Sequence, residues 1–345
     1  MKKKLTVLLC LTMVTLALAG CGGQDTGQPP AGDDQTDTTG VVKTGLAVVT
    51  SAAKSKDAAE ENGVAEAYST IVAVTVDDEG TIQNCAIDAA QTKINFTTDG
   101  KIATPLDSVF VGKQELGDDY GMRKSSGIGK EWNEQANAFA DYVIGKTVEE
   151  IKGIAIDEGV PAVADLDASV TIHVTDFIAA VEKAVENAQD MGASADDKIG
   201  IGVVTTIDKS KEAGDEDGVA QAYSNYAAVT FDADGAITSC IIDASQTNVN
   251  FDKTGVITSD LTGPFLTKNE LGDDYGMKKA STIGKEWYEQ AAAFAEYVKG
   301  KTVDEVNGIA LNDEGVAADE DLSASVTVHI GPFMNVIEKA FNFAR

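Results

Sequence analysis

Apolar residues along this chain change rhythm in a fixed order, and the whole order occurs twice. Residues 68–76 and 81–88 are apolar-rich runs separated by Asp77-Asp78-Glu79-Gly80, which predicts two strands joined by a tight turn. Gly supplies the positive φ and Asp the local hydrogen bonds of such a turn. The second copy carries Asp232-Ala233-Asp234-Gly235 at the same place. Ile94 and Phe96 alternate with polar neighbours before Asp99-Gly100, and Val249 and Phe251 do so before Thr254-Gly255, which predicts a further hairpin. From Ile128 the period becomes helical. Trp132, Ala136, Phe139 and Val143 form a stripe ending at Gly145, matched by Trp287, Ala291, Phe294 and Val298 ending at Gly300. Thr147-Val148-Glu149-Glu150 and Thr302-Val303-Asp304-Glu305 have the capping-box pattern that opens a short helix. A last helix carries Phe177, Val181, Ala184 and Val185, or Phe333, Ile337, Ala340 and Phe341 with Pro332 in its first turn. Strands first and helices later predict an α+β fold in which each copy is an antiparallel sheet followed by helices.

The copies are Gly63 to Lys183 and Gly218 to Lys339, offset by 155 positions at Tyr120/Tyr275 and by 156 at Thr171/Thr327. A period this long is a whole domain, since a solenoid repeat spans roughly 20 to 50 residues. The expected organisation is a leader over 1–20, a tether over 21–44, and two tandem domains over 45–192 and 193–345.

The leader reads from its own pattern. Lys2, Lys3 and Lys4 precede the apolar run Leu5 to Leu18, too short to span a membrane, so it predicts a secretory signal. Leu18-Ala19-Gly20-Cys21 resembles a bacterial lipoprotein signal, which implies diacylglycerol on Cys21 and an extracytoplasmic, membrane-anchored protein. Residues 22–44 are mostly Gly, Asp, Thr, Gln and Pro and predict a flexible tether with a reach of roughly 25 Å.

Charge narrows the partners. The sequence has 27 basic and 56 acidic residues, net −29, and removal of the three leader lysines takes the net to −32. Such a surface excludes nucleic acid and leaves the lipid as the membrane attachment of a soluble monomer. Cys85 and Cys240, one per copy in apolar strand segments, are expected to be small buried hydrophobes.

No hydrolytic or metal constellation stands out, and no metal ligands or catalytic set are assigned. The only histidines are His173 and His329, in Ser169-Val170-Thr171-Ile172-His173-Val174 and Ser325-Val326-Thr327-Val328-His329-Ile330. The alternation predicts a strand with Ser, Thr and His on one face, which reads either as a nucleophile with its base or as a solvated face. Glu115 to Met122 recurs unchanged as Glu270 to Met277, a loop whose Tyr120 and Tyr275 are candidates either to stack on a planar ligand or to pin the loop to the core.

The tail of each copy carries a resemblance. Asp165-Leu166-Asp167-Ala168-Ser169-Val170-Thr171 before the Phe177 helix, and Asp321-Leu322-Ser323-Ala324-Ser325-Val326-Thr327 before the Phe333 helix, resemble the closing motif of FMN-binding domains. In that family an Asp-x-x-Ser/Thr-Gly/Ser-Ala-Thr motif carries FMN, phosphoester-linked to its last Thr by a flavin transferase. The resemblance implies that Thr171 and Thr327 bear the flavin, with Asp165, Asp321, Ser169 and Ser325 as supporting positions. His173 and His329 stand where the family commonly has a hydroxyl residue. It further implies a membrane-anchored electron carrier with redox partner proteins. The alternative is a cofactor-free lipoprotein that binds a small molecule or partner through the Tyr120 and Tyr275 loops.

Overall fold

The computed structural model describes residues 40–345, so the leader, Cys21 and the tether up to residue 39 lie outside the described residues. The fold is α+β, as the order of periodicities predicts. The first half contributes β1 (Val41–Ser51), β2 (Gly63–Val76), β3 (Ile82–Phe96), β4 (Val109–Val111), α1 (Lys113–Leu116), α2 (Trp132–Val143), α3 (Val148–Lys152), β5 (Ile156–Asp157), β6 (Val160–Pro161) and α4 (Thr175–Glu186). The second contributes β7 (Gln189–Ser194), β8 (Lys198–Thr206), β9 (Gly218–Phe231), β10 (Ile237–Phe251), α5 (Lys268–Leu271), α6 (Trp287–Val298), α7 (Val303–Asn307), α8 (Glu320–Ser323) and α9 (Gly331–Asn342).

Two four-stranded antiparallel sheets, ordered β3-β2-β1-β7 and β10-β9-β8-β4, form the centre. Their strands are apolar on both faces because both faces are covered. On one side Ala47, Val72, Val74 and Ile87 pack under α2 and α4, and Val229, Ile242 and Ala244 pack under α6 and α9. On the other side Leu46, Val48, Ile71 and Ala73 of the first sheet meet Ile199, Ile201, Val203 and Tyr226 of the second. Helices thus form the outer layers and the sheets the inner two. Close approach of helix to strand depends on missing side chains: a Cβ on Gly45 would lie 1.9 Å from the Ala184 carbonyl oxygen, and one on Gly200 would lie 1.9 Å from that of Ala340.

The halves are fused rather than strung together. Phe96 and Phe251 stack with ring centroids 4.3 Å apart and planes 10° from parallel. Around them the backbone bonds are reciprocal: Ala58 N–H donates to the Gly255 carbonyl and Ala213 N–H to the Gly100 carbonyl, each at 2.8 Å. Two ion pairs repeat the exchange, Lys183 with Glu270 and Lys339 with Glu115 at 2.6 Å. Residues 40–345 are therefore one body with a shared core.

Four expectations need correction. Residues 41–44 belong to β1 and not to the tether: Val42 and Thr44 are buried, and the segment pairs with β7. The expected boundary at 192/193 falls inside β7, which completes the first sheet while opening the second half. Ile94/Phe96 and Val249/Phe251 do not begin separate strands, because β3 and β10 run unbroken through them and pair with β2 and β9; the hairpin expected after them is present only as a short turn closed by the antiparallel bridges Phe96–Ile102 and Phe251–Ile257. Finally, residues 169–174 form no strand. Their backbone bonds are spent on a turn, with Ser169 and Val170 N–H both donating to the Leu166 carbonyl at 2.8 Å.

The helices agree closely with the pattern. Thr147 and Thr302 cap α3 and α7 in full capping boxes with Glu150 and Glu305. Pro332 lies in the first turn of α9, and Cys85 and Cys240 are buried.

Candidate functional site

Two features recur in each half near the expected residues, a clamped threonine and a caged lysine. The threonine comes from the turn just described. Gln135 on α2 is fully buried, and its side-chain carbonyl accepts the Thr171 backbone N–H at 2.8 Å and the Thr171 hydroxyl at 3.2 Å. Gln290 on α6 does the same for Thr327, at 2.8 and 3.1 Å. The other face of each amide is fixed by the loop before the helix, since Gln135 Nε2 donates to the Ser126 hydroxyl at 3.2 Å and Gln290 Nε2 to that of Ser281 at 3.3 Å. A buried amide with all its partners filled holds its rotamer, and the threonine with it. Thr171 is exposed and Thr327 half-buried.

Thr327 stands on the wall of a groove of about 640 Å³, whose other lining residues include Met277, Ser281, Thr282, Asn312, Val316 and Val328. Glu314 is the only charged residue of that lining. The Ser169 and Ser325 hydroxyls donate to the Leu166 and Leu322 carbonyls at 3.2 Å, which closes the turn instead of facing a ligand. Asp165 and Asp321 are exposed, the latter in the first turn of α8.

The lysine lies across the same tail. Lys113 opens α1 and is 3 % exposed, with its ammonium 4.7, 4.3 and 5.1 Å from the ring centroids of Tyr68, Tyr120 and Trp132. It donates to the Tyr120 hydroxyl at 2.8 Å and to the Tyr68 hydroxyl at 3.3 Å. Lys268 is held alike by Tyr223, Tyr275 and Trp287, at 4.6, 4.5 and 4.7 Å, and donates to the Tyr223 hydroxyl at 2.7 Å. Burial brings both ammonium groups down to about 8, and it pushes the Tyr68 and Tyr223 phenols up.

In the first half this cage floors a cavity of about 430 Å³ that also brings in His173, Asp176, Gln91 and Lys54. Tyr120 and His173 thus share one cavity, whereas Thr171 is not among its lining residues. The Tyr120 loop is fixed from beneath by Glu131, a buried carboxylate that accepts the Met122 and Arg123 N–H groups at 2.8 and 2.7 Å; Glu286 accepts those of Met277 and Lys278, both at 2.8 Å. The loop is thus held by the N-cap of the next helix, and its tyrosine faces the lysine.

Sequence reading missed Lys113, Lys268, Gln135 and Gln290, and it placed Trp132 and Trp287 only as core. The available signal was their recurrence at matching positions, Lys113 and Lys268 standing two residues before Glu115 and Glu270.

Comparison with known proteins adds one short match. A stretch of 40 residues is 60 % identical to a chlorophenol reductase of Desulfitobacterium hafniense. It covers 12 % of this chain and 12 % of that protein. No protein-family model and no solved structure matches the chain.

Proposed function

We propose that this protein is a lipid-anchored, extracytoplasmic electron carrier in which Thr327 and Thr171 bear FMN through phosphoester bonds made by a flavin transferase. The observation that carries the reading is the pair of clamped threonines: each hydroxyl is presented from the equivalent turn of its half, on an equivalent buried glutamine, and neither is enclosed by the core.

The groove beside Thr327 fits a flavin in size and chemistry. Its volume lies in the range of small-molecule sites, its Met277, Val316 and Val328 walls suit a planar ring, and its Ser, Thr and Asn groups suit the ring's polar edge. Its one charged residue, Glu314, repels a free phosphate, so a covalent ester is the sensible means of retention. Bound flavin would supply electron transfer; the chain's own residues orient the attachment oxygen and would line the groove that receives the ring. Anchored through Cys21 and acting as a monomer, the body would meet donor and acceptor proteins at the membrane surface.

The test is peptide mass spectrometry of the protein coexpressed with a flavin transferase, in the wild type and in Thr171→Val and Thr327→Val. The expected result is an FMN adduct at each threonine, lost at the substituted one. Bare masses at both positions in a preparation without flavin absorbance would overturn the reading.

A further inference from the structure

The caged lysine has a use that the flavin reading leaves open. Among the described residues no carboxylate lies within 4.0 Å of the Lys113 ammonium, although the residue is almost wholly buried and the chain is strongly acidic. The buried acids whose charge reaches Lys113 are committed elsewhere: Asp88 accepts the Ala89 and Gln114 N–H groups at 2.7 and 3.0 Å, and Glu66 is held by Gln91 at 3.0 Å and Lys93 at 3.6 Å. A buried charge ordinarily comes with a counter-ion, because desolvating an unpaired ion is strongly unfavourable. Here the aromatic rings replace part of the lost hydration through cation–π contacts. Lys113 is among the residues that line an open cavity.

We infer that this cavity is a binding site for a small organic monoanion with a flat apolar body, its charged head paired with Lys113. Size agrees, since about 430 Å³ lies at the scale of small-molecule sites. Chemistry selects the class. Tyr68, Tyr120, Trp132, Phe177 and Met122 offer a largely apolar wall, Gln91 and Thr70 offer neutral polar groups, and Lys113 offers one deep positive charge. Lys54, 5.8 Å above the Tyr68 ring, adds a second positive charge. Asp176 also lines the cavity and disfavours an anion of higher charge. Since burial takes the Lys113 ammonium only to about 8, the group keeps its proton at neutral pH. Thr171 does not line the cavity but its neighbours Ile172 and His173 do, so the site adjoins the proposed flavin attachment without including it.

The test is calorimetric titration of the full-length protein, in detergent and expressed without a flavin transferase, with benzoate as the probe. Its neutral isostere benzamide and inorganic phosphate are the comparators. Saturable benzoate binding is expected, with at least tenfold weaker binding of both comparators. Lys113→Met should weaken benzoate at least tenfold, and Lys268→Met should leave this site intact. Absence of saturable benzoate binding, equal binding of benzamide, or unchanged affinity in a folded Lys113→Met variant would overturn the inference. Should Lys113→Met fail to fold, the benzoate-to-benzamide ratio in the wild type decides alone. Because no flavin is present in this experiment, its failure leaves the threonine reading untouched, and loss of the flavin adducts leaves this one untouched.

Discussion

Replacing Phe96 by Ala is the sharpest test of whether the two halves share one core. The ring is fully buried, stacked at 4.3 Å on Phe251, and enclosed by Ala58, Ala65, Ile94, Ala213, Ala220 and Val249 from both halves. Deleting a buried phenyl ring costs about 3 to 5 kcal/mol, the sum of lost transfer energy and an imperfectly closed cavity. The stack itself contributes about 0.5 to 1.5 kcal/mol of that, which a double-mutant cycle with Phe251→Ala isolates. Against a typical total of about 5 to 15 kcal/mol, the loss is a large fraction. Urea unfolding is followed in two single-tryptophan backgrounds: Trp287→Phe leaves Trp132 to report on the first half, and Trp132→Phe leaves Trp287 to report on the second. Both reporters should unfold together, and Phe96→Ala should shift both midpoints equally. A shift confined to Trp132, with Trp287 unmoved, would show that the halves fold independently and that the shared core carries no cooperative coupling.

Three further outcomes follow from the same structure. Burial raises the Asp88 and Asp243 carboxyls from their ordinary 3.8 to about 7, against the backbone N–H groups of Ala89 and Gln114, or Ala244 and Asn269, that favour the anion. The folded state therefore holds protons that the unfolded chain gives up between about pH 4 and 7, so stability should fall across that window and level off above it. At 1.36 kcal/mol per unit the loss is on the order of 4 kcal/mol for each group, and Asp88→Asn should remove about half the slope in denaturation curves taken from pH 4 to 8; a flat wild-type profile would contradict this. Gly200→Ala puts a Cβ against the backbone of α9 and should cost about 1 to 3 kcal/mol or more, read as a lower thermal midpoint, whereas an unchanged midpoint would mean that α9 lies farther from β8. The Cys85 thiol, buried and pushed up to about 12, should resist iodoacetamide at pH 8 in the folded protein and react on unfolding, with peptide masses distinguishing it from other cysteines.

Much of the fold was legible because its signals are local. The Trp132 stripe, the Thr147 and Thr302 capping boxes and the Asp-Gly turns each need only a few consecutive residues, and each stands where the pattern puts it. What escaped depends on partners far along the chain. Residues 169–174 alternate like a strand, yet their backbone is claimed by Leu166 and by Gln135, which is 36 positions away from Thr171. Val41 to Thr44 look like the end of a polar linker until β7 arrives to pair with them. Likewise Lys113 reads as an ordinary surface lysine, and only the convergence of β2, the Tyr120 loop and α2 turns it into a buried cation. The apolar strands gave no hint that their second face would be covered by the other copy, because a double-sided apolar run is equally the mark of any fully enclosed sheet.

The reciprocal contacts between the halves carry a consequence for how such a chain arises. Ala58 with Gly255 mirrors Ala213 with Gly100, and Lys183 with Glu270 mirrors Lys339 with Glu115, which is the signature of a self-complementary surface meeting its own copy about a two-fold axis. An ancestral gene encoding one half would make a protomer that associates with its twin through that same face. Duplication in tandem converts the encounter of two molecules into the closure of one, so assembly no longer depends on concentration, and each site becomes free to diverge from the other.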